Sequence, residues 1–196
     1  GSGGFLLYAL NKVRNKATEL YPNYAKDVRQ HDRWFKYWHD FAEKNLYGIE
    51  ISEQISRAAK MNMIIHDDGH TNVITSDGLV SDETIIAKTN NQGFKYGTFD
   101  FIITNPPFGS TVRQSEQAYL KTYQLGKKEE DWLAVATPPQ NTRDGQSTEV
   151  LFIEQDYKFL KEGGYLAIVL PDGILTNSSL QYVRTQIEDW FRIVAV

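Results

Sequence analysis

A chain of 196 residues, 41% apolar and 23% charged, is long enough to bury a sizeable core and has the balance expected of a soluble globular protein. Cysteine is absent, which excludes disulfide scaffolds and thiolate metal sites and fits a reducing cytoplasm; no apolar run approaches the roughly 20 residues of a membrane-spanning helix, and no signal-peptide pattern opens the chain. The net charge of −4 excludes a protein that grips nucleic acid through its own positive excess alone.

The chain opens on Gly1-Ser2-Gly3-Gly4, a small-residue turn that runs straight into an apolar helical pattern of Phe5, Leu6, Tyr8, Ala9, Leu10 and Val13. Glycines in such a place let backbone approach a ligand, as they do after the first strand of a nucleotide-binding α/β domain, although no strand precedes this one. Residues 26–45 predict a second helix, with Trp34, Trp38 and Phe41 on one face at i, i+4, i+7. That stripe suits packing on a sheet better than stacking on nucleic acid. His31 and His39 within it read as surface or core histidines, and no metal site is expected.

Leu46–Ile51 predicts a short strand ending near Glu50, and a carboxylate at a strand's carboxyl end can accept from both hydroxyls of a ribose. Ser52 then caps a helix over Glu53–Ile65, with Ile55, Ala58, Ala59 and Met63 expected on its inner side. After a polar turn from His66 to His70 comes a third strand, Asn72–Thr75, and then Ser76-Asp77-Gly78, where Asp77 reads as a turn residue that could also accept from the amino group of a bound cofactor. Ser81–Thr98 reads as polar and irregular.

Phe99–Ile103 is a β-branched and aromatic run of the length expected for a strand buried on both faces. It stops at Asn105-Pro106-Pro107-Phe108, because neither proline has an N–H to donate and each fixes its own φ. A rigid turn is left at a strand's carboxyl end, the edge at which open α/β sheets bind ligands. Its chemistry suits a planar amino group. The Asn105 side-chain oxygen and the Pro106 carbonyl can accept both N–H donors, leaving the nitrogen lone pair aimed outward at an electrophile. Phe108 can stack on the ring that carries that nitrogen.

Residues 109–148 form a long polar segment with Arg113, Lys121, Lys127, Lys128 and Arg143 interleaved with Tyr119, Tyr123 and Trp132. Following the Asn-Pro-Pro-Phe turn, it is expected to be a lid or a docking surface; its acidic cluster Glu129-Glu130-Asp131 speaks against pure phosphate binding. A helix from Ser147 to Lys161 is expected to close at Gly163-Gly164. Tyr165–Leu170 predicts another doubly buried strand, Pro171-Asp172-Gly173 a turn, Ser179–Trp190 a helix, and Arg192–Val196 the opening of a last strand.

Three of these stretches together resemble the adenine-N6 DNA methylases, above all the methylation subunits of type I restriction–modification systems. Gly1-Ser2-Gly3-Gly4-Phe5-Leu6 is similar to the second half of that family's cofactor motif, Asp-Pro-Ala-Cys-Gly-Ser-Gly-Gly-Phe-Leu. Asn105-Pro106-Pro107-Phe108 after Phe99–Thr104 is similar to its catalytic motif. Leu160-Lys161-Glu162-Gly163-Gly164-Tyr165-Leu166-Ala167-Ile168-Val169-Leu170-Pro171-Asp172-Gly173 is similar to a stretch that Asn-Pro-Pro enzymes acting on protein or RNA do not usually share in this form.

The resemblance implies an α/β fold with a doubly wound, mostly parallel, Rossmann-like sheet, that of the class I S-adenosylmethionine-dependent methyltransferases. Residues 1–196 would be a single partial catalytic domain with 109–148 as a long insertion or lid, beginning inside the cofactor motif and lacking the first strand. The strands carrying Glu50 and Asn105 would then either close the gap directly or take a strand from elsewhere. It also implies methyl transfer from S-adenosylmethionine to adenine N6 in DNA, on a base drawn out of the duplex. Asn105, Pro106, Pro107 and Phe108 would form the catalytic turn, Gly1, Gly3, Glu50 and Asp77 would line the cofactor, and no metal is needed. Ser76 stands where the family usually has glycine before the acidic residue. Partners would be DNA and the specificity and restriction subunits of a type I complex, and the fragment alone is expected to be inactive. Two other readings stay open: a same-fold methyltransferase acting on protein glutamine or RNA guanine, and an inactive fragment serving only as a binding module.

Overall fold

The computed structural model describes residues 1–66, 72–113, 118–128 and 141–196. The His70 end of the expected polar turn, Trp132 and the cluster Glu129-Glu130-Asp131 lie outside them. The chain forms two compact units, residues 1–78 with 83–94, and residues 79–82 with 95–196. No helix of the described residues is long and apolar enough to cross a membrane.

The first unit is built on three helices and a strand pair. Gly3, at φ +89°, turns the chain into α1 (Gly4–Leu20), a left-handed conformation that an L side chain adopts only under strain. Asp27 caps α2 (Val28–Asn45) by accepting from the Arg29 N–H at 2.8 Å. Leu10 and Ala17 of α1 pack with Trp38 and Ala42 of α2 and with Met63 of α3 (Glu53–Ile65). The Arg14 guanidinium lies over the Trp38 ring, 4.0 Å from its centroid. Ser52 caps α3 through the Ile55 N–H. The inner stripe of α3 is Ser56, Ala59 and Met63, whereas Ile55 and Ala58 are exposed; the helix is turned about one position from the expected face. The parallel pair β1 (Gly48–Glu50) and β2 (Val73–Thr75) sets Glu50 opposite Thr75.

Within Ser81–Thr98, expected to be irregular, the chain forms α4 (Asp82–Thr89). Acidic Asp82 and Glu83 open it, where they oppose the helix dipole favourably, Ile85 is its buried residue, and Asn90 at φ +54° turns the chain out of it.

In the second unit, β3 (Phe99–Thr104) runs parallel to β8 (Leu160–Ile168), with Phe101 opposite Tyr165 and Thr104 opposite Ile168. α5 (Thr148–Phe159) ends two residues short of the expected Lys161. Gly163-Gly164 is not its cap but part of a register shift inside β8, with Gly163 at φ +77°. Neither strand is buried on both faces as expected: Phe101 is 57%, Ile103 41% and Tyr165 63% exposed, all from one side of the pair, whose two strands present alternate side chains to opposite faces. Two cores complete the unit, Leu125, Val150, Ile153, Ile174 and Val183, and Leu79, Leu120, Tyr123 and Leu151.

The described residues of 109–148, expected to be a long polar lid or docking segment, contribute two small antiparallel pairs besides a 3₁₀ turn at Ala118–Thr122. These are β4 (Thr111–Arg113) with β7 (Gly145–Ser147), and β5 (Lys127–Lys128) with β6 (Asn141–Thr142). Asp172 to Thr176 is a short helix, α6, rather than a turn alone, and is followed by α7 (Gln181–Trp190). Residues 192–196 are exposed and irregular where a strand was expected. The architecture is α/β with short parallel pairs, and every described sheet has two strands. Among the described residues β1 pairs only with β2 and β3 only with β8, so neither pair carries a further described strand along its other edge.

Candidate active site

In the second unit, the carbonyl of Thr104 accepts the Val169 N–H at 3.1 Å, so the strand pair is bonded up to the residue before Asn105. Pro106 is buried, while Asn105, Pro107 and Phe108 are exposed. Burial of one proline and loss of two N–H donors anchor the turn without a backbone ladder. Among the described residues the Asn105 amide has no hydrogen-bond partner, and the Phe108 ring is 48% exposed. Gly109, at φ +74°, carries the chain out of the turn. The next carbonyl, that of Ser110, accepts both the backbone N–H and the hydroxyl of Thr148, at 2.9 and 3.0 Å.

Behind the turn lies α5, whose residues are buried nearly all round, polar ones included. Glu154 accepts from the backbone N–H groups of Gln124 and Leu125 at 2.9 and 2.8 Å and from Lys158 at 2.8 Å. Gln155 donates to the Val80 carbonyl at 2.9 Å, and its oxygen lies 2.8 Å from the Tyr123 hydroxyl, itself 2.6 Å from the Leu79 carbonyl. One helix thus fixes the segment that follows the Asn-Pro-Pro-Phe turn and the loop at Leu79–Val80. Asp156 is different: its Oδ2 is buried without a hydrogen-bond partner among the described residues, and burial pushes its carboxyl up to about 8. None of Thr148, Glu154, Gln155 or Asp156 was singled out from sequence, where the only trace is three consecutive polar residues, 154–156, after the buried Ile153.

In the first unit, the Glu50 carboxylate accepts the Ser52 N–H at 2.8 Å. The Ser2 carbonyl accepts from Asn62 of α3 at 2.9 Å, and a Cβ on Gly3 would meet that of Ala59 at 3.4 Å. The Ser76 N–H donates to the Glu50 carbonyl at 3.1 Å, which ties the half-buried Asp77 to the end of β1. Gly1, Gly3, Glu50 and Asp77 therefore belong to one neighbourhood of the first unit, and Asn105 to Phe108 belong to the second. An ionised carboxylate beside a glycine turn is an acceptor for a vicinal diol, with backbone close enough to follow a flat ligand.

The histidines are not alike. His39 stands with Asp40 and Glu43, their ligand-capable atoms all within 4.8 Å of one another; the expectation that neither histidine has an acidic residue at i+4 is wrong for His39, since Glu43 stands there. Asp40 is already shared between Lys36 at 3.1 Å and Lys44 at 3.6 Å, and those two positive charges oppose a cation.

Comparison with known proteins adds a family. Residues 1–195 match the family described as N-6 DNA Methylase. The chain is 25% identical over 179 residues to the type II restriction enzyme and methyltransferase RM.BcgI of Heyndrickxia coagulans, covering 91% of this chain and 20% of that protein. It is 26% identical over 195 residues to the type I restriction enzyme EcoEI methylase subunit of Escherichia coli, covering 96% of this chain and 29% of that one. The chain thus spans less than a third of the length of either relative.

Proposed function

Since the chain belongs to the N-6 DNA methylase family, we propose that it is catalytic-domain sequence of an S-adenosylmethionine-dependent methyltransferase acting on adenine N6 in DNA, as the modification component of a restriction–modification system. The observation that carries this reading is the Asn105 amide, exposed and unpartnered among the described residues, on a proline-stiffened turn beside an exposed Phe108. In this reading residues 1–196 are one partial catalytic domain, and its parallel pairs belong to a doubly wound sheet. A cytoplasmic location and specificity and restriction subunits of a type I complex go with it. So does the expectation that residues 1–196 alone do not turn over.

S-adenosylmethionine fits the residues present: the Glu50 carboxylate suits its ribose hydroxyls, Asp77 its adenine amino group, and the Gly1–Gly3 turn leaves room for backbone to approach it. When bound, it supplies a methyl group on a positively charged sulfur, an electrophile strong enough to need no metal. The residues of the turn do the rest. The Asn105 oxygen and the Pro106 carbonyl accept the two N6 hydrogens and draw the nitrogen lone pair out of conjugation with the ring. Held this way, N6 would take the methyl group, S-adenosylhomocysteine would leave, and the surplus N6 proton would pass to solvent. Phe108 stacks on the extruded base, worth roughly 1–3 kcal/mol.

The test is methyl transfer from tritiated S-adenosylmethionine by the full-length protein to adenine-containing DNA, RNA and protein offered in parallel. Label on N6-methyladenine in DNA is expected. Label on glutamine or on RNA guanine, or none at all, overturns the assignment.

A further inference from the structure

The catalytic turn is held at its two ends by different means. On the entry side, Thr104 is locked by the last rung of the β3–β8 pair, the Val169 N–H at 3.1 Å. From Asn105 to Gly109 no backbone hydrogen bond to a described residue is present, and Pro106 and Pro107 have no N–H with which to make one. On the exit side everything converges on a single carbonyl. Ser110, two residues after Phe108, receives the backbone N–H of Thr148 at 2.9 Å and its hydroxyl at 3.0 Å. Only then does the antiparallel pairing of Thr111 with Ser147 take over.

Thr148 is the first residue of α5, and its N–H is one of those that a helix leaves without an internal partner. Ser147, at the capping position, makes no side-chain cap bond. The turn therefore caps the helix through the Ser110 carbonyl, and the helix fixes the turn through the same contact. Thr148 is itself buried. It sits on a helix whose next two turns are pinned by Glu154 and Gln155, so the clamp has a rigid support.

We propose that Thr148 is a positioning residue for the reaction: its hydroxyl, with its N–H, clamps the Ser110 carbonyl and so sets where Asn105 and Phe108 stand relative to the target base. The inference rests on the methyltransferase reading, in which a displacement of the turn by an ångström is costly to rate while ligand binding is largely kept. Valine is close in shape to threonine and retains the N–H, so Thr148→Val removes the hydroxyl bond alone. Serine keeps the hydroxyl and loses only a methyl group.

The experiment compares wild type, Thr148→Val and Thr148→Ser in the full-length enzyme, by steady-state methyl transfer to adenine-containing DNA and by amide hydrogen exchange. For Thr148→Val we expect kcat to fall about tenfold, KM for S-adenosylmethionine and DNA to change less than about twofold, and exchange to quicken in peptides covering 109–113 and 145–149 but not in those covering β8. Thr148→Ser is expected to restore both readouts. Unchanged kcat and exchange in Thr148→Val overturn the clamp. Faster exchange across all of α5 and β8 without rescue by serine overturns it too, since that marks a core position only. If wild type itself transfers no methyl group to adenine, the proposed function falls, while the exchange comparison still decides whether Thr148 holds the turn.

Discussion

Glu50 and Asn105 both stand at the carboxyl end of a short parallel strand, yet their side chains are treated in opposite ways. The Glu50 carboxylate already accepts the Ser52 N–H at 2.8 Å; the exposed Asn105 amide has no hydrogen-bond partner among the described residues. The difference follows from what each is proposed to bind. A ribose diol is bound in one state only, so a carboxylate oriented beforehand by Ser52 avoids part of the cost of ordering. An amino group that changes charge during reaction needs acceptors kept for it alone, since any protein donor already on the Asn105 oxygen would have to be displaced.

The largest effect is expected where the free amide is removed. Asn105→Ala should lower kcat for methyl transfer by about a thousandfold, in line with the loss of a preorganised polar group at a reacting atom, with S-adenosylmethionine binding by calorimetry unchanged; a comparable loss of cofactor affinity breaks the contrast between the two strand ends. Next comes the support behind the turn. The Asp156 carboxyl, pushed up to about 8 by burial, stays protonated in the fold when the unfolded chain has already ionised near 3.8. Its contribution is therefore fully present below the ordinary carboxylate range and is lost as pH rises from there to about 8, at a slope of up to about 1.4 kcal/mol per pH unit. Asp156→Asn should flatten that slope in urea unfolding followed from pH 5 to 8, and an unchanged slope places the ionisation elsewhere.

Phe108→Ala should raise KM for DNA by roughly tenfold through lost stacking, with the cofactor constant unaffected. The smallest change is expected at the tied carboxylate: Glu50→Gln keeps an acceptor for the Ser52 N–H, so cofactor binding should weaken by about tenfold at most, with kcat at saturation nearly that of wild type. A loss in kcat equal to that of Asn105→Ala would mean that the two strand ends do not divide the work.

How much of this was open to reading from sequence depended on how local the cause was. The Asn-Pro-Pro-Phe corner could be read because proline's missing N–H ends a strand whatever surrounds it. The Ser52 cap could be read because a hydroxyl just before an apolar helix bonds within its own turn. Burial of β3 on both faces was over-read, since a short apolar run has the same letters whether one face or two are covered. α4 escaped because its buried side is the single residue Ile85, too little for a period to show. Gly163-Gly164 is a sound helix-cap signal that pairing with β3 puts to another use. Glu154 and Gln155 bond to groups at 124–125 and 79–80, and no pattern within α5 announces partners that far along the chain.

The register shift between β3 and β8 has a consequence for the turn at its far end. Lys161 to Gly164 all lie opposite Asp100 alone, Lys161 pairs with the Asp100 carboxylate, and a Cβ on Gly164 would come within 3.0 Å of the Asp100 carbonyl. This knot in the ladder works as a zero mark from which the remaining rungs are counted out to Thr104. Sliding either strand by one residue would require untying it and would turn every following side chain to the opposite face. The height at which Asn105 emerges is thus gauged at the end of the ladder remote from the chemistry, and adding or deleting one residue between Tyr165 and Ile168 should dislocate the corner as surely as altering the corner itself.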